Sequence, residues 1–212
     1  MIIYGTYVVG DDGTKMGHEE RAGAPVLSRR NIITLDFPGP AAAVCQLRPA
    51  GTSAPDPFTT DRFVVRRELA PADSGVPMML RVRVLDAVDR PLPNAVLEIV
   101  HPAPDPAAPT LHGAQLTDPH GYAEFKTVFP GWSADRPAGL DVTLHLAGTR
   151  DTGRFHFPAQ VTAQVAALPG YRANPSPPPP PDQPAGILHV VPRDRYDLTA
   201  GLLATINAVT DR

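Results

Sequence analysis

Met78-Met79-Leu80-Arg81-Val82-Arg83-Val84-Leu85 sets Met78, Leu80, Val82 and Val84 against Met79, Arg81, Arg83 and Leu85. Successive side chains of an extended chain point to opposite faces, so this period of two describes a half-buried β-strand. Residues 96–100, 122–128, 140–146, 187–191 and 202–209 continue the series. The 27 prolines and 17 glycines spread along the chain cut it into short runs that suit strands and turns better than helices. Short strands with turn signals between them predict a mostly β fold, an antiparallel β-sandwich. Residues 158–168, with Val161, Val165 and Leu168 at helical spacing, predict one short helix.

Composition narrows the function classes. At 212 residues, 42% hydrophobic and 19% charged, the chain is long enough and apolar enough for one sizeable core. A formal charge of -3 without any Lys/Arg run argues against nucleic acid or an anionic membrane as partner. No stretch approaches the roughly 18 apolar residues of a membrane span. Residues 1–9 lack a basic region and a cleavage site, so a cytoplasmic location is expected. The single cysteine, Cys45, forms no intramolecular disulfide and reads as a small buried hydrophobe rather than a nucleophile.

Residues 1–43 fall outside the sandwich pattern. Strand-like runs at 2–9 and 31–37, parted by a polar stretch, suggest an added arm or hairpin, with the sandwich spanning 44–212. Pro175-Ser176-Pro177-Pro178-Pro179-Pro180-Pro181 predicts an extended polyproline segment, read as a stiff surface linker in preference to a docking motif.

The most telling motif is Phe129-Pro130-Gly131-Trp132-Ser133-Ala134-Asp135-Arg136-Pro137-Ala138-Gly139-Leu140-Asp141-Val142. It resembles the Pro-Gly-Trp-Tyr-x-Gly-Arg-Thr-x-His-Ile-His segment of intradiol ring-cleavage dioxygenases. Further segments are similar in the same order: Val44-Cys45-Gln46-Leu47-Arg48-Pro49, Pro93-Asn94-Ala95-Val96-Leu97-Glu98-Ile99-Val100-His101, Leu111-His112-Gly113-Ala114-Gln115-Leu116-Thr117-Asp118, and Gly153-Arg154-Phe155-His156-Phe157-Pro158. The last looks like the family's Gly-Gln-Leu-Phe-Phe-Pro turn. The resemblance implies the intradiol sandwich, a ferric site of two Tyr and two His, and a homodimer as a plausible assembly. Laid on that pattern, Ser133 stands at a ligand Tyr, and Gly139 and Asp141 stand at the ligand His positions. The interval 102–110, where the family carries its other Tyr, contains none. One carboxylate cannot replace two phenolates and two imidazoles, so no metal and no cofactor is expected and iron-dependent ring cleavage is the disfavoured alternative.

Losing these side chains predicts a larger cavity. Gly139, Asp141, Thr143 and His145 share one strand face, and Leu140, Val142, Leu144 and Leu146 share the core face. Arg136 matches the family's Arg beside the reaction centre. With Asp141 it forms either an acid/base carboxylate and a cation able to polarise a carbonyl or enolate oxygen, or a structural ion pair plugging the vacated site. His112, which replaces an Arg, is a candidate proton carrier. Ser133, Gly139, Thr143, Trp132 and His101 are candidate substrate-binding residues, although His101 also matches a family His that is not a ligand. Trp132 is expected beneath the cavity floor, and His120 in an exposed Pro-His-Gly turn.

Two function classes follow. One is a metal-independent enzyme acting on a small organic molecule by cyclisation, isomerisation or dehydration in the vacated pocket. The other is a non-catalytic binding or accessory protein on the same scaffold.

Overall fold

The computed structural model describes residues 43–52, 65–178 and 186–211. The strand-like runs at 2–9 and 31–37 and the last prolines of the 175–181 segment lie outside the described residues. The elements are β1 (Val44–Gln46), β2 (Arg48–Thr52), β3 (Pro77–Leu85), β4 (Val96–His101), β5 (Leu111–Leu116), β6 (Tyr122–Val128), β7 (Gly139–Leu146), β8 (Thr149–His156), α1 (Ala159–Ala166), β9 (His189–Asp194) and β10 (Asp197–Val209).

They form two five-stranded sheets packed face to face as a β-sandwich. The second sheet runs β2-β8-β7-β4-β5 and is antiparallel throughout. The first runs β1-β10-β3-β6, with β9 also on β10. There β10 is parallel to both β3 and β1, so the sandwich is antiparallel except at these two pairings. Because β3 covers one edge of β10 along 202–209, β9 and β1 share the other, at 202–205 and 207–209 respectively.

The period-two pattern fills the interior as expected. Leu80, Val82, Val84 and Phe125 from one sheet meet Leu97, Ile99, Leu140, Val142, Leu144 and Phe155 from the other, all buried. Such burial is the main favourable term in folding. On the outer face, Arg81 lies 4.0 Å above the Tyr122 ring, a cation–π contact that covers the strand's exposed side. The β5–β6 connection is closed by Asp118, whose Oδ1 accepts from the amides of His120 and Tyr122, each at 2.8 Å. His120 is exposed in that turn. Helix α1 buries Val161 and Val165 and turns its other side outward. Among the described residues no helix is long and apolar enough to cross a membrane.

Four strands have no apolar alternation to announce them. β8 is polar over much of its length, and its Asp151 is buried because Thr210 Oγ1 donates to its carboxylate. β5 is interrupted at Gly113, where a Cβ would lie 2.7 Å from Leu69 Cδ1. β1 is very short, and β2 contains Pro49 and Gly51. Cys45 is buried beneath β8, its Sγ 3.7 Å from Arg154 O, and burial pushes the thiol up from its ordinary value. A thiol so placed is not activated.

Candidate functional site

The site lies where the β7–β8 hairpin meets the loop 129–138. The hairpin turns through Ala147 and Gly148, with φ of 49° and 77°. Positive φ at both central residues gives the turn that matches strand twist. Counting back from it, Leu146 faces Thr149, Asp141 faces Arg154 and Gly139 faces His156. Paired residues share a face, so Asp141, Arg154 and His156 lie together outside the core. Thr143 and His145 lie on the same side of β7, while Leu140, Val142 and Leu144 are buried beneath.

Asp141 is held by two guanidinium groups. Arg136 Nη2 donates to Asp141 Oδ1 at 2.8 Å and Oδ2 at 2.7 Å, and Arg154 Nη1 donates to Oδ1 at 2.7 Å. Arg154 Nη2 also donates to Pro137 O at 2.8 Å, which ties the loop to the strand. Of the three side chains Arg154 is the most buried, 18% exposed against 39% for Asp141 and 53% for Arg136. Charge-assisted bonds of this kind are strong and geometrically exacting.

Arg154 also explains Gly139. A Cβ on Gly139 would stand 2.7 Å from Phe155 O and 3.0 Å from both Nε and Nη2 of Arg154. The guanidinium therefore occupies the space that a side chain at 139 would need. The expected enlargement of the cavity at this position is not found, because the Arg154 guanidinium and the Phe155 carbonyl fill the space over Gly139.

The residues present do not fit ferric iron. Gly139 offers no donor, and Ser133 Oγ is engaged with Asp135 Oδ1 at 2.7 Å. The Asp141 oxygens face two cations that would repel a third. Among the described residues no group of three or more His, Cys, Asp or Glu could hold a metal ion.

A cleft of about 260 Å³ opens beside this triad, lined by Pro102, Gly131, Trp132, Ser133, Arg136, Pro137, Arg154 and Asn174 among others. Its charged walls are Arg136 and Arg154, both cations. Asp141, expected as the proton acceptor of the cleft, is not on its wall. It is clamped by the two arginines. Trp132 lines the cleft: its ring stacks on Tyr171 at 5.8 Å with an interplanar angle of 3°, and Nε1 donates to Pro175 O at 2.7 Å. Asn174 fastens three segments at once, accepting from Trp132 N at 3.1 Å and donating to Pro104 O at 2.8 Å and Tyr171 O at 3.3 Å. Tyr171 OH donates to Phe129 O at 2.8 Å and accepts from Val76 N at 3.1 Å, so its phenol is buried, structural and pushed well above the ordinary tyrosine range.

The histidines are elsewhere. His112 is on the exposed side of β5, with Nε2 2.6 Å from Glu98 Oε1, and Glu98 Oε2 is 2.9 Å from His145 Nε2. His112 opposes Val100, which opposes Asp141, so a whole strand separates it from the triad and it is no proton carrier for the cleft. Thr143 faces Glu98 and Thr152 on that surface and does not line the cleft. His101 is fully buried, its Nδ1 2.8 Å from Pro102 O and its Nε2 2.8 Å from Thr127 Oγ1. A carbonyl can only accept, so the ring is the neutral Nδ1–H tautomer receiving the Thr127 hydroxyl proton. It is a core histidine and does not line the cleft.

Burial lowers the His101 pKa from 6.5 to about 4. The unfolded chain therefore binds this proton more readily. The stability contribution is complete above about pH 6.5 and is lost as pH falls toward 4. Between pH 7 and pH 5 the loss from this one group is about 2 kcal/mol. Denaturant titrations at the two pH values are expected to show that fall, and His101→Gln is expected to flatten it. An equally steep fall in the variant would assign it to other groups.

The fold built around this site is that of known dioxygenases. The chain is similar to an intradiol ring-cleavage dioxygenase from Tetranychus urticae, at 18% identity and a TM-score of 0.60, covering 78% of this chain and 94% of that one. A second dioxygenase structure aligns at 17% identity and a TM-score of 0.59, with the same coverage. The dioxygenase domain of a carbohydrate-binding fusion protein from Streptomyces sp. SirexAA-E aligns at 20% identity and a TM-score of 0.54, covering 76% and 97%. No protein-family profile and no curated protein matches the sequence. The shared property is an intradiol dioxygenase-like fold.

Proposed function

We propose that this protein is a small-molecule enzyme on the intradiol dioxygenase-like scaffold that works without iron, with Arg136 and Arg154 stabilising negative charge on a bound organic substrate. The observation that carries this reading is the placement of Arg154: its guanidinium fills the space over Gly139 and lines a cleft whose charged walls, among the described residues, are both cationic. Two fixed guanidinium groups beside a stacked Trp132 ring suit an oxyanion or enolate that develops during cyclisation, isomerisation or dehydration. Asp141 is the anchor that holds both donors in place, and a preorganised donor pair is worth more than one that must be ordered during the reaction.

A second reading has its own support. Among the described residues that line the cleft there is no carboxylate and no imidazole, so no evident general base. Binding without turnover, as an accessory protein, fits that wall equally well.

Screening the purified protein with chelator present against enolisable cyclic keto acids and hydroxy acids separates the two. Turnover that persists with chelator and falls about a hundredfold in Arg154→Gln supports the enzyme. Arg136→Lys is expected to weaken both binding and turnover, because an ammonium lacks the planar five-donor guanidinium that can hold Asp141 through one nitrogen and leave others for a bound anion. Ligands that bind tightly and emerge unchanged, with affinity lost in the same variants, would establish the binding protein instead.

A further inference from the structure

On the other side of Pro137 from the arginine cleft is a second depression, of about 350 Å³, lined by Ala138, His156, Phe157, Pro178 and the outward side of α1. Pro137 is a wall of both. The helix residues that face it are Ala159, Thr162, Ala163 and Ala166, spaced at three and four, so a stripe of small side chains leaves the room. Its volume lies within the roughly 300–1,000 Å³ of small-molecule sites, and its walls are mostly apolar with one convergent polar ring.

That ring is His156. Among the described residues its Nδ1 is the one buried side-chain nitrogen or oxygen with no hydrogen-bond partner. A neutral imidazole carries one proton, and a stranded buried N–H is the costlier choice, so the proton belongs on Nε2, the less buried nitrogen. Burial, and next the Arg154 charge, hold His156 below its ordinary pKa against the opposing pull of Asp141, which keeps the ring neutral near pH 7. An Nε2–H donor is therefore presented at an apolar depression that shares Pro137 with the cleft of the two guanidinium groups.

We infer that this depression is the subsite for the ring body of an organic anion, with His156 donating to an oxygen of that body and the anionic end reaching over Pro137 to Arg136 and Arg154. Charge complementarity selects the class: an apolar ring carrying a carboxylate or enolate satisfies both depressions, whereas a neutral hydrocarbon or a small inorganic anion satisfies only one. The anionic end rests on the reading of the arginine cleft given above. The ring subsite does not.

The test uses the full chain with 6-hydroxy-2-naphthoate and its neutral relative 6-hydroxy-2-naphthamide, whose ring hydroxyl can accept from His156, read by calorimetry and by the imidazole nitrogen signals of His156. Both probes are expected to bind and to move those signals. Ala163→Phe, on the exposed side of α1, is expected to weaken both by about tenfold or more by filling the depression, and Ala159→Phe provides the same test should the first variant unfold. Arg136→Gln is expected to weaken naphthoate alone. Binding that is blocked by Arg136→Gln yet indifferent to either filling substitution, with the His156 signals unmoved, would overturn the ring subsite and leave the arginine cleft standing. Both probes blocked by filling but equally indifferent to Arg136→Gln would keep the ring subsite and overturn the anionic end, and with it the cleft reading. No binding of either probe at millimolar concentration would overturn the subsite.

Discussion

Gly131→Ala is expected to destabilise the protein by about 3 kcal/mol, the upper end of what overpacking a well-filled site costs. The added Cβ would lie 2.4 Å from the backbone oxygen of Ala103 and 2.9 Å from Asn174 Oδ1. A side chain could rotate away from such a clash, but a backbone carbonyl cannot. The segments 102–104 and 130–132 would have to separate. Asn174 bridges them, with bonds of 3.1 Å to Trp132 N and 2.8 Å to Pro104 O, so the separation also breaks the clasp at the cleft. The control is Gly170→Ala, where nothing lies within 4 Å of the added carbon, and a near-neutral effect is expected. Denaturant melts of both variants decide it. Equal stability of the two would mean that the loop carrying Ser133 and Arg136 is not held as described.

The sequence made the fold legible where burial is one-sided. β3, β6 and β7 alternate because one face meets the other sheet and one meets solvent, and α1 shows itself through Val161 and Val165. β8 could not be read this way. Its partners β2 and β7 determine its position, and its burial of Asp151 depends on Thr210, 59 residues away. The parallel pairing of β10 with β3 likewise joins the two ends of the sandwich and leaves no local trace.

The site divides along the same line. Arg136 and Asp141 sit five residues apart on one loop and strand, so their partnership was visible in the motif. Arg154 was not, although the information was within reach: a two-residue turn at Ala147-Gly148 places 154 opposite 141. The turn was obscure because Ala147 takes a positive φ that Asn or Asp ordinarily supplies. Asn174 is 42 residues from Trp132 and belongs to no periodic element, so only the folded chain reveals its role. His112 was misplaced for a different reason. The substitution pattern marked it as unusual, yet strand register, which motif comparison does not supply, puts β4 between it and Asp141.

The central proposal is that two guanidinium groups and a clamped carboxylate occupy the positions that the sequence resemblance assigns to iron ligands, and iron binding tests it most directly. It predicts that protein incubated with ferrous and ferric salts in air and then desalted retains iron well below one equivalent. It should show no phenolate-to-iron absorption band and should leave catechol uncleaved. Introducing a histidine by Gly139→His is not expected to change this, because the new Cβ would meet Phe155 O at 2.7 Å and the Arg154 guanidinium at 3.0 Å. The decisive measurement is the iron content of the desalted wild-type protein by elemental analysis, with catechol cleavage assayed on the same sample. Substoichiometric iron without cleavage is the expected result, and near-stoichiometric iron with ring cleavage would contradict the account.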